Sequence, residues 1–99
     1  MSVEIASRRV DWDDEKAATN VKKHGIKFED AARIFLDDRR LDYYDEKHSE
    51  EEDRYITIGM VNAVLFVVYT ERGATTRLIS ARRATKREKE RYYGQYTDL

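Results

Sequence analysis

One run of eight residues limits what this chain can fold into. Ala63–Thr70 (AVLFVVYT) is apolar at odd and even positions alike, and its β-branched and aromatic content suits a strand covered on both faces better than a helix. A central strand needs neighbours, and the flanking sequence supplies them. Tyr55–Val61 alternates, with Ile56, Ile58 and Met60 on one side and Tyr55, Thr57 and Gly59 on the other. Asn62 and Ala63 make a tight connection, and Thr76–Arg83 returns as a strand after a turn with Gly73 in the left-handed position. The expectation is an antiparallel meander.

The rest of the chain has little apolar material to add. Charged residues make up 39% of the 99, so the core is thin and concentrated in a few segments. That length suits a single domain spanning residues 1–99. Cysteine is absent, which removes disulfides and thiolate metal sites and fits a reducing compartment. The N-terminal segment is charged and has no apolar core of a signal peptide, and the longest apolar stretch, Met60–Tyr69, is about half of a membrane span. A cytoplasmic location with no membrane partner is expected.

Helices are marked by their ends. Val3–Trp12 leans towards β structure and is read as one edge strand. From Asp13 the pattern DDEKAATNVKKHG places acids in a first turn, cations in a last turn and Gly25 beyond, so a helix ends near His24. Phe28, Ala31, Ala32, Phe35 and Leu36 recur at helical spacing and predict a second helix to about Asp37. Asp37–Asp53 is polar, with Leu41, Tyr43 and Tyr44 as anchors for a short strand inside an otherwise mobile connection, most mobile near His48. Thr85 and Glu88 stand at capping-box spacing, which starts a last helix over Lys86–Tyr93 with Gly94 ending it. The order is β-α-α-β-β-β-α, an α+β fold with a small antiparallel sheet.

The formal net charge of −1 conceals a strong polarisation. Asp42–Asp53 carries seven acids against Lys47, whereas Arg77–Arg91 carries seven basic residues against Glu88 and Glu90. Guanidinium groups bind phosphate bidentately and stay charged at any working pH. Strict alternation in the last strand puts Leu78, Ser80 and Arg82 on one side and Arg77, Ile79, Ala81 and Arg83 on the other, so arginine faces both ways. Lys22, Lys23 and His24 crowd the end of the first helix, where the helix dipole alone accounts for cations. His24 adds chemistry to charge, because imidazole ordinarily titrates near neutrality and can take or give a proton. Glu88 has an ordinary capping role, Tyr92 and Tyr93 an ordinary packing role, and His48 sits among acids in a connection. Two distant histidines without cysteine or HExxH give no zinc site, the acids at Glu50–Asp53 lack EF-hand spacing, no glycine-rich loop cradles a nucleotide and Ser80 lies in no GxSxG elbow. No metal and no cofactor is expected.

Four stretches taken in order, WDDEKAATNVKKHGIKFEDAARIF, EDRYITIG, VLFVVYTERG and RLISARRATKREKERYY, resemble the BrnT toxin family. Trp12, Asp13, Lys16, Asn20, Lys23, His24, Gly25, Phe28, Ile79, Ser80, Ala81, Arg82, Glu88 and Tyr92 occupy the family's most telling places. Asp14 stands where many members carry proline, and the segment before Asp11 is longer than usual, either adding a strand or hanging loose. The resemblance implies a RelE-like microbial ribonuclease fold that cleaves RNA without metal, a BrnA-like antitoxin with a DNA-binding part, and a complex of the two that represses its own operon.

Two functions from different classes are open to such a chain. In the first, the RNA 2′-hydroxyl attacks its neighbouring phosphate, His24 or Glu88 moves protons, Arg82 or Lys23 stabilises charge, Tyr92 completes the catalytic set, and Lys22, Arg77 and Arg83 position the strand. It requires the Lys-His-Gly corner and the end of the last strand to share one cationic pocket. In the second, the basic surface is a non-enzymatic module that seats an acidic antitoxin segment in a repressor.

Overall fold

A computed structural model describes residues 1–95, so residues 96–99 of the expected unit lie outside the described residues. The N-terminal segment forms two strands rather than one. β1 (Ser2–Ile5) and β2 (Arg8–Asp11) pair antiparallel through Ala6 and Ser7, both at positive φ (51° and 60°). A two-residue turn of that kind matches hairpin twist but is ordinarily built from Asn or Gly, which is why Ala-Ser gave no turn signal.

Helix α1 (Asp14–His24) has the expected bounds, with Asp14 and Glu15 in its first turn and Gly25 at φ 69° closing its end. Helix α2 starts at Phe28 but runs only to Ala31 before tightening into a 3₁₀ turn, Ala32–Leu36. This turn lies directly on the sheet. A Cβ at Gly59 would fall 2.7 Å from Ile34 Cγ1, so a glycine is what lets the turn approach. β3 (Leu41–Tyr44), β4 (Arg54–Val61), β5 (Ala63–Arg72) and β6 (Thr75–Arg83) come next, and α3 (Lys86–Gly94) closes the described chain. Thr85 and Glu88 form the expected capping box.

The six strands lie in the order β1-β2-β6-β5-β4-β3. The α+β class is the expected one, and β4, β5 and β6 form the meander read from the sequence. The sheet is mixed, however. β2 enters beside β6 and runs parallel to it over Arg9–Asp11, which corrects the expectation of a purely antiparallel sheet. β5 sends Leu65, Val67 and Tyr69 into one core with Val10, Phe28 and Ile34, and Val64, Phe66 and Val68 against a second with Ile58 and Tyr92. Two cores on opposite faces explain why its sequence is apolar throughout.

Strand β6 is irregular in its pairing and at its edge. Val68 pairs with Ser80 but Tyr69 pairs with Leu78, so Ile79 is the extra residue of a β-bulge. Leu78 and Ala81 therefore share the helix-covered face, while Arg77, Ser80 and Arg82 share the other, and the strict alternation assumed from sequence is overturned. Beyond Arg77, where β2 stops, α1 takes over the edge of β6. The Asn20 amide donates to the Ala81 carbonyl (2.9 Å) and accepts the Ala81 N–H (3.0 Å), standing in for one residue of a neighbouring strand.

Candidate functional site

Helix α3 packs on the sheet face away from α1, over β4 and β5. The rest of that face carries an open cleft of about 320 Å³ against β5 and β6, lined by Phe66, Val68, Ile79 and Ser80 together with Arg54 and Arg82. Arg82 is the most firmly built cation there. Its guanidinium stacks 3.9 Å over the Phe66 ring and makes a two-pronged pair with Glu88, Nη1 to Oε1 at 2.8 Å and Nη2 to Oε2 at 3.0 Å. Nη1 also donates to the Arg83 carbonyl at 3.1 Å. Nε–H and the second Nη2–H remain for a ligand among the described residues.

Glu88 is correspondingly committed. It accepts from Arg82 and from the Thr85 N–H (2.8 Å), and the Arg82 hydrogen bond, against the opposing effect of burial, holds its carboxyl below the usual carboxylate range. The same bond raises the Arg82 pKa further. Both carboxylate oxygens are thus already engaged in the charged form. Glu88 braces Arg82.

A second cleft, about 440 Å³, lies between α1 and β6; Lys16, Lys23 and His24 line it beside the acids Asp13 and Glu15 and the polar Thr19 and Asn20, with Ile79 and Ser80 on the strand side. Lys23 and His24 are thus together, as expected. Arg82 does not line this cleft, so the single pocket inferred from sequence is corrected to two adjoining ones that share Ile79 and Ser80. The bulge is the reason: it turns Arg82 to the face opposite Leu78, while Asn20 ties α1 to the strand edge.

The other candidates separate. Lys22 is exposed on α1 and lines neither cleft. Arg77 lies on the same face as Arg82 but pairs with Asp11 at 3.7 Å. Arg83 points to the helix-covered side and lines a different hollow with Gly25, Ile26 and Asp30. Tyr92 is 2% exposed and its hydroxyl donates to Asp37 Oδ2 at 2.5 Å, so it ties α3 to the loop before β3, apart from the residues lining either cleft. Asp37 also accepts from the Met60 and Arg39 N–H groups. Sequence reasoning left Arg54 unconsidered and set Ser80 and His48 aside as ordinary, yet all three line the sheet-face cleft. The signal for His48 was local: Asp45 stands three residues before it. Nothing in sequence marked Arg54, whose neighbourhood is set by strand pairing. No group of three or more His, Cys, Asp or Glu is placed to hold a metal ion among the described residues, and none of their helices is long and apolar enough to cross a membrane.

A sequence profile described as "Ribonuclease toxin, BrnT, of type II toxin-antitoxin system" matches residues 12–88, most of the chain. The chain belongs to the BrnT family. The fold agrees: the crystal structure of the Brucella abortus ribonuclease toxin, BrnT, matches with a TM-score of 0.63 and 28% sequence identity, over 78% of this chain and 96% of that one. No curated protein matches it in sequence. This BrnT chain is therefore a ribonuclease toxin of a type II toxin-antitoxin system, a class that comes with an antitoxin partner. The profile begins at Trp12, so the β1–β2 hairpin precedes the part of the BrnT chain that the family defines.

Proposed function

We propose that the chain cleaves RNA without a metal, by attack of a 2′-hydroxyl on the adjacent phosphate in the sheet-face cleft, with Arg82 gripping the phosphate. One observation carries this reading: Arg82 is fixed by Glu88 on one side and Phe66 beneath it, with two N–H donors left over beside an open apolar cleft. A guanidinium whose rotamer is already held by such bracing stabilises the charge that builds on the phosphate oxygens without reorganising. Arg54 adds positive charge on the same cleft, and Phe66 and Val68 offer apolar surface for a base or ribose. Lys16, Lys23 and His24 in the adjoining cleft take the next stretch of the strand, across Ser80.

The partner, in this reading, is a BrnA-like antitoxin whose acidic segment covers the Arg82 cleft, and which links the pair to operator DNA through its own DNA-binding part. The toxin works as one unit in the cytoplasm. The test uses the purified full-length chain, freed of partner, on total RNA with excess EDTA. Cleavage leaving 2′,3′-cyclic phosphate ends is expected, and Arg82→Ala should slow it by about 10²–10³-fold with folding unchanged. Intact RNA at high enzyme concentration would refute the proposal and leave the antitoxin-seating module. Cleavage that appears only when a divalent ion is restored would refute the metal-free part.

A further inference from the structure

We propose that His48, oriented by Asp45, is the base that takes the 2′-hydroxyl proton in this cleft; the inference rests on the ribonuclease reading above and assigns a residue that reading leaves open. The two side chains form a built pair. His48 Nδ1 lies 2.9 Å from Oδ2 and 3.2 Å from Oδ1 of Asp45. A carboxylate only accepts, so Nδ1 carries the proton and donates it, and the lone pair is left on Nε2. The Asp45 side chain is 10% exposed and the His48 side chain 63%, so the orienting partner is sheltered while the imidazole is open to a ligand.

The turn that carries His48, Glu46–His48 with Asp45 just before it, is tied to the start of β4 at several points. The Asp45 N–H donates to the Arg54 carbonyl (2.9 Å), Ser49 Oγ donates to the Asp45 carbonyl (2.6 Å), and the Arg54 N–H donates to Ser49 Oγ (2.9 Å). Asp45 and His48 line the cleft together with Arg54 and Arg82. The charged groups sharing it with His48 are thus Asp45 from its own turn, Arg54 from β4 and Arg82 from β6. His24, by contrast, lines the other cleft and has no hydrogen-bonded carboxylate among the described residues.

The chemistry closes on these groups. Nε2 of His48 takes the 2′-hydroxyl proton as the 2′-oxygen attacks phosphorus. The P–O2′ bond forms, the P–O5′ bond breaks, and the departing 5′-oxygen takes a proton from water. Arg82 neutralises the non-bridging oxygens, and His48 returns its proton to solvent, leaving a 2′,3′-cyclic phosphate and a 5′-hydroxyl.

The test uses the full-length chain on a labelled oligoribonucleotide of mixed sequence, with excess EDTA. His48→Gln should lower kcat by about 10²–10⁴-fold with KM little changed and an unaltered denaturation midpoint, and His48→Ala should regain part of its rate on adding imidazole. Asp45→Asn, a change at the positioning residue, should lower kcat less than His48→Gln does, again with KM little changed, because the amide no longer fixes which ring nitrogen carries the proton. A wild-type chain that cuts while both His48 variants cut within about threefold of it overturns this assignment and leaves the ribonuclease reading standing. A loss that imidazole does not relieve, with kcat of Asp45→Asn equal to that of the wild type, gives His48 a structural part and overturns it equally. A wild-type chain that leaves the probe intact overturns both.

Discussion

The sharpest test of the fold is a single amide. Asn20 is 4% exposed and makes three hydrogen bonds, two with the backbone of Ala81 and one from Nδ2 to the Ile26 carbonyl at 2.9 Å. Asn20→Ala strands the Ala81 N–H and carbonyl and the Ile26 carbonyl. At about 1–3 kcal/mol for each stranded buried group, less what water regains through the neighbouring cleft, the loss should be about 3 kcal/mol. Against a total stability of roughly 5–15 kcal/mol for a domain this size, that is a large fraction. With a urea m-value of roughly 1.5 kcal/mol/M, the midpoint should fall by roughly 2 M with m unchanged. Asn20→Asp keeps the acceptor for the Ala81 N–H but turns a carboxylate towards two carbonyl oxygens, so it should cost at least as much at neutral pH and less once the acid is protonated. A midpoint shift under roughly 0.3 M for both variants would refute the view that Asn20 completes the edge of β6.

Other consequences can be measured on the same protein. Gly59→Ala places a Cβ 2.7 Å from Ile34 Cγ1 and 3.0 Å from Arg40 Cβ, and overpacking of that kind should cost about 1–3 kcal/mol, read as a lower Tm. In Asp37, burial opposes ionisation but is outweighed by hydrogen bonds from Tyr92, Met60 and Arg39; in Glu88, Arg82 leads; both carboxyls are held low. Their contribution to stability is therefore whole above the unfolded pKa, roughly 4, and is lost as pH falls through the lower folded values. Replacing both with their amides should flatten the acid limb of a stability–pH curve, and an unchanged limb would contradict the assignment. Tyr69 is pushed up to about 12, first by burial and then by Asp42, so its contribution is whole below the unfolded phenol pKa, roughly 10, and declines as pH rises from there through the folded value. Tyr69→Phe should remove that part of the alkaline loss. Arg82→Lys keeps the charge but loses the two-pronged pair with Glu88, and cleavage should fall well over tenfold if geometry rather than charge is what Arg82 supplies.

Much of the architecture was readable because the signals were local. The double-sided apolar run of β5, the dipole-matched ends of α1 with Gly25, and the Thr85–Glu88 box each depend on residues within a few positions of one another. The misses share the opposite property. The β1–β2 turn uses Ala6 and Ser7 in a conformation their side chains do not advertise, and the parallel docking of β2 on β6 joins segments far apart in the chain. At the site, Lys23 and His24 were legible as a corner at the end of α1, whereas the burial of Tyr92 against Asp37 was not, because it is set by packing between segments far apart in the chain.

The amino-acid sequence by itself determined the ends of α1 and α3, the β4–β5–β6 meander, the family, and the residue types available for binding phosphate, since periodicity, caps and motif order are written along the chain. Which side of the sheet those residues reach was decided only in three dimensions. A one-residue bulge at Ile79 sends Arg82 to the face opposite Leu78, beside His48 and away from His24. Facing in a strand has a period of two, so one extra residue inverts every later side chain, and whether that residue is accommodated depends on how β5 and α1 hold β6 from either side.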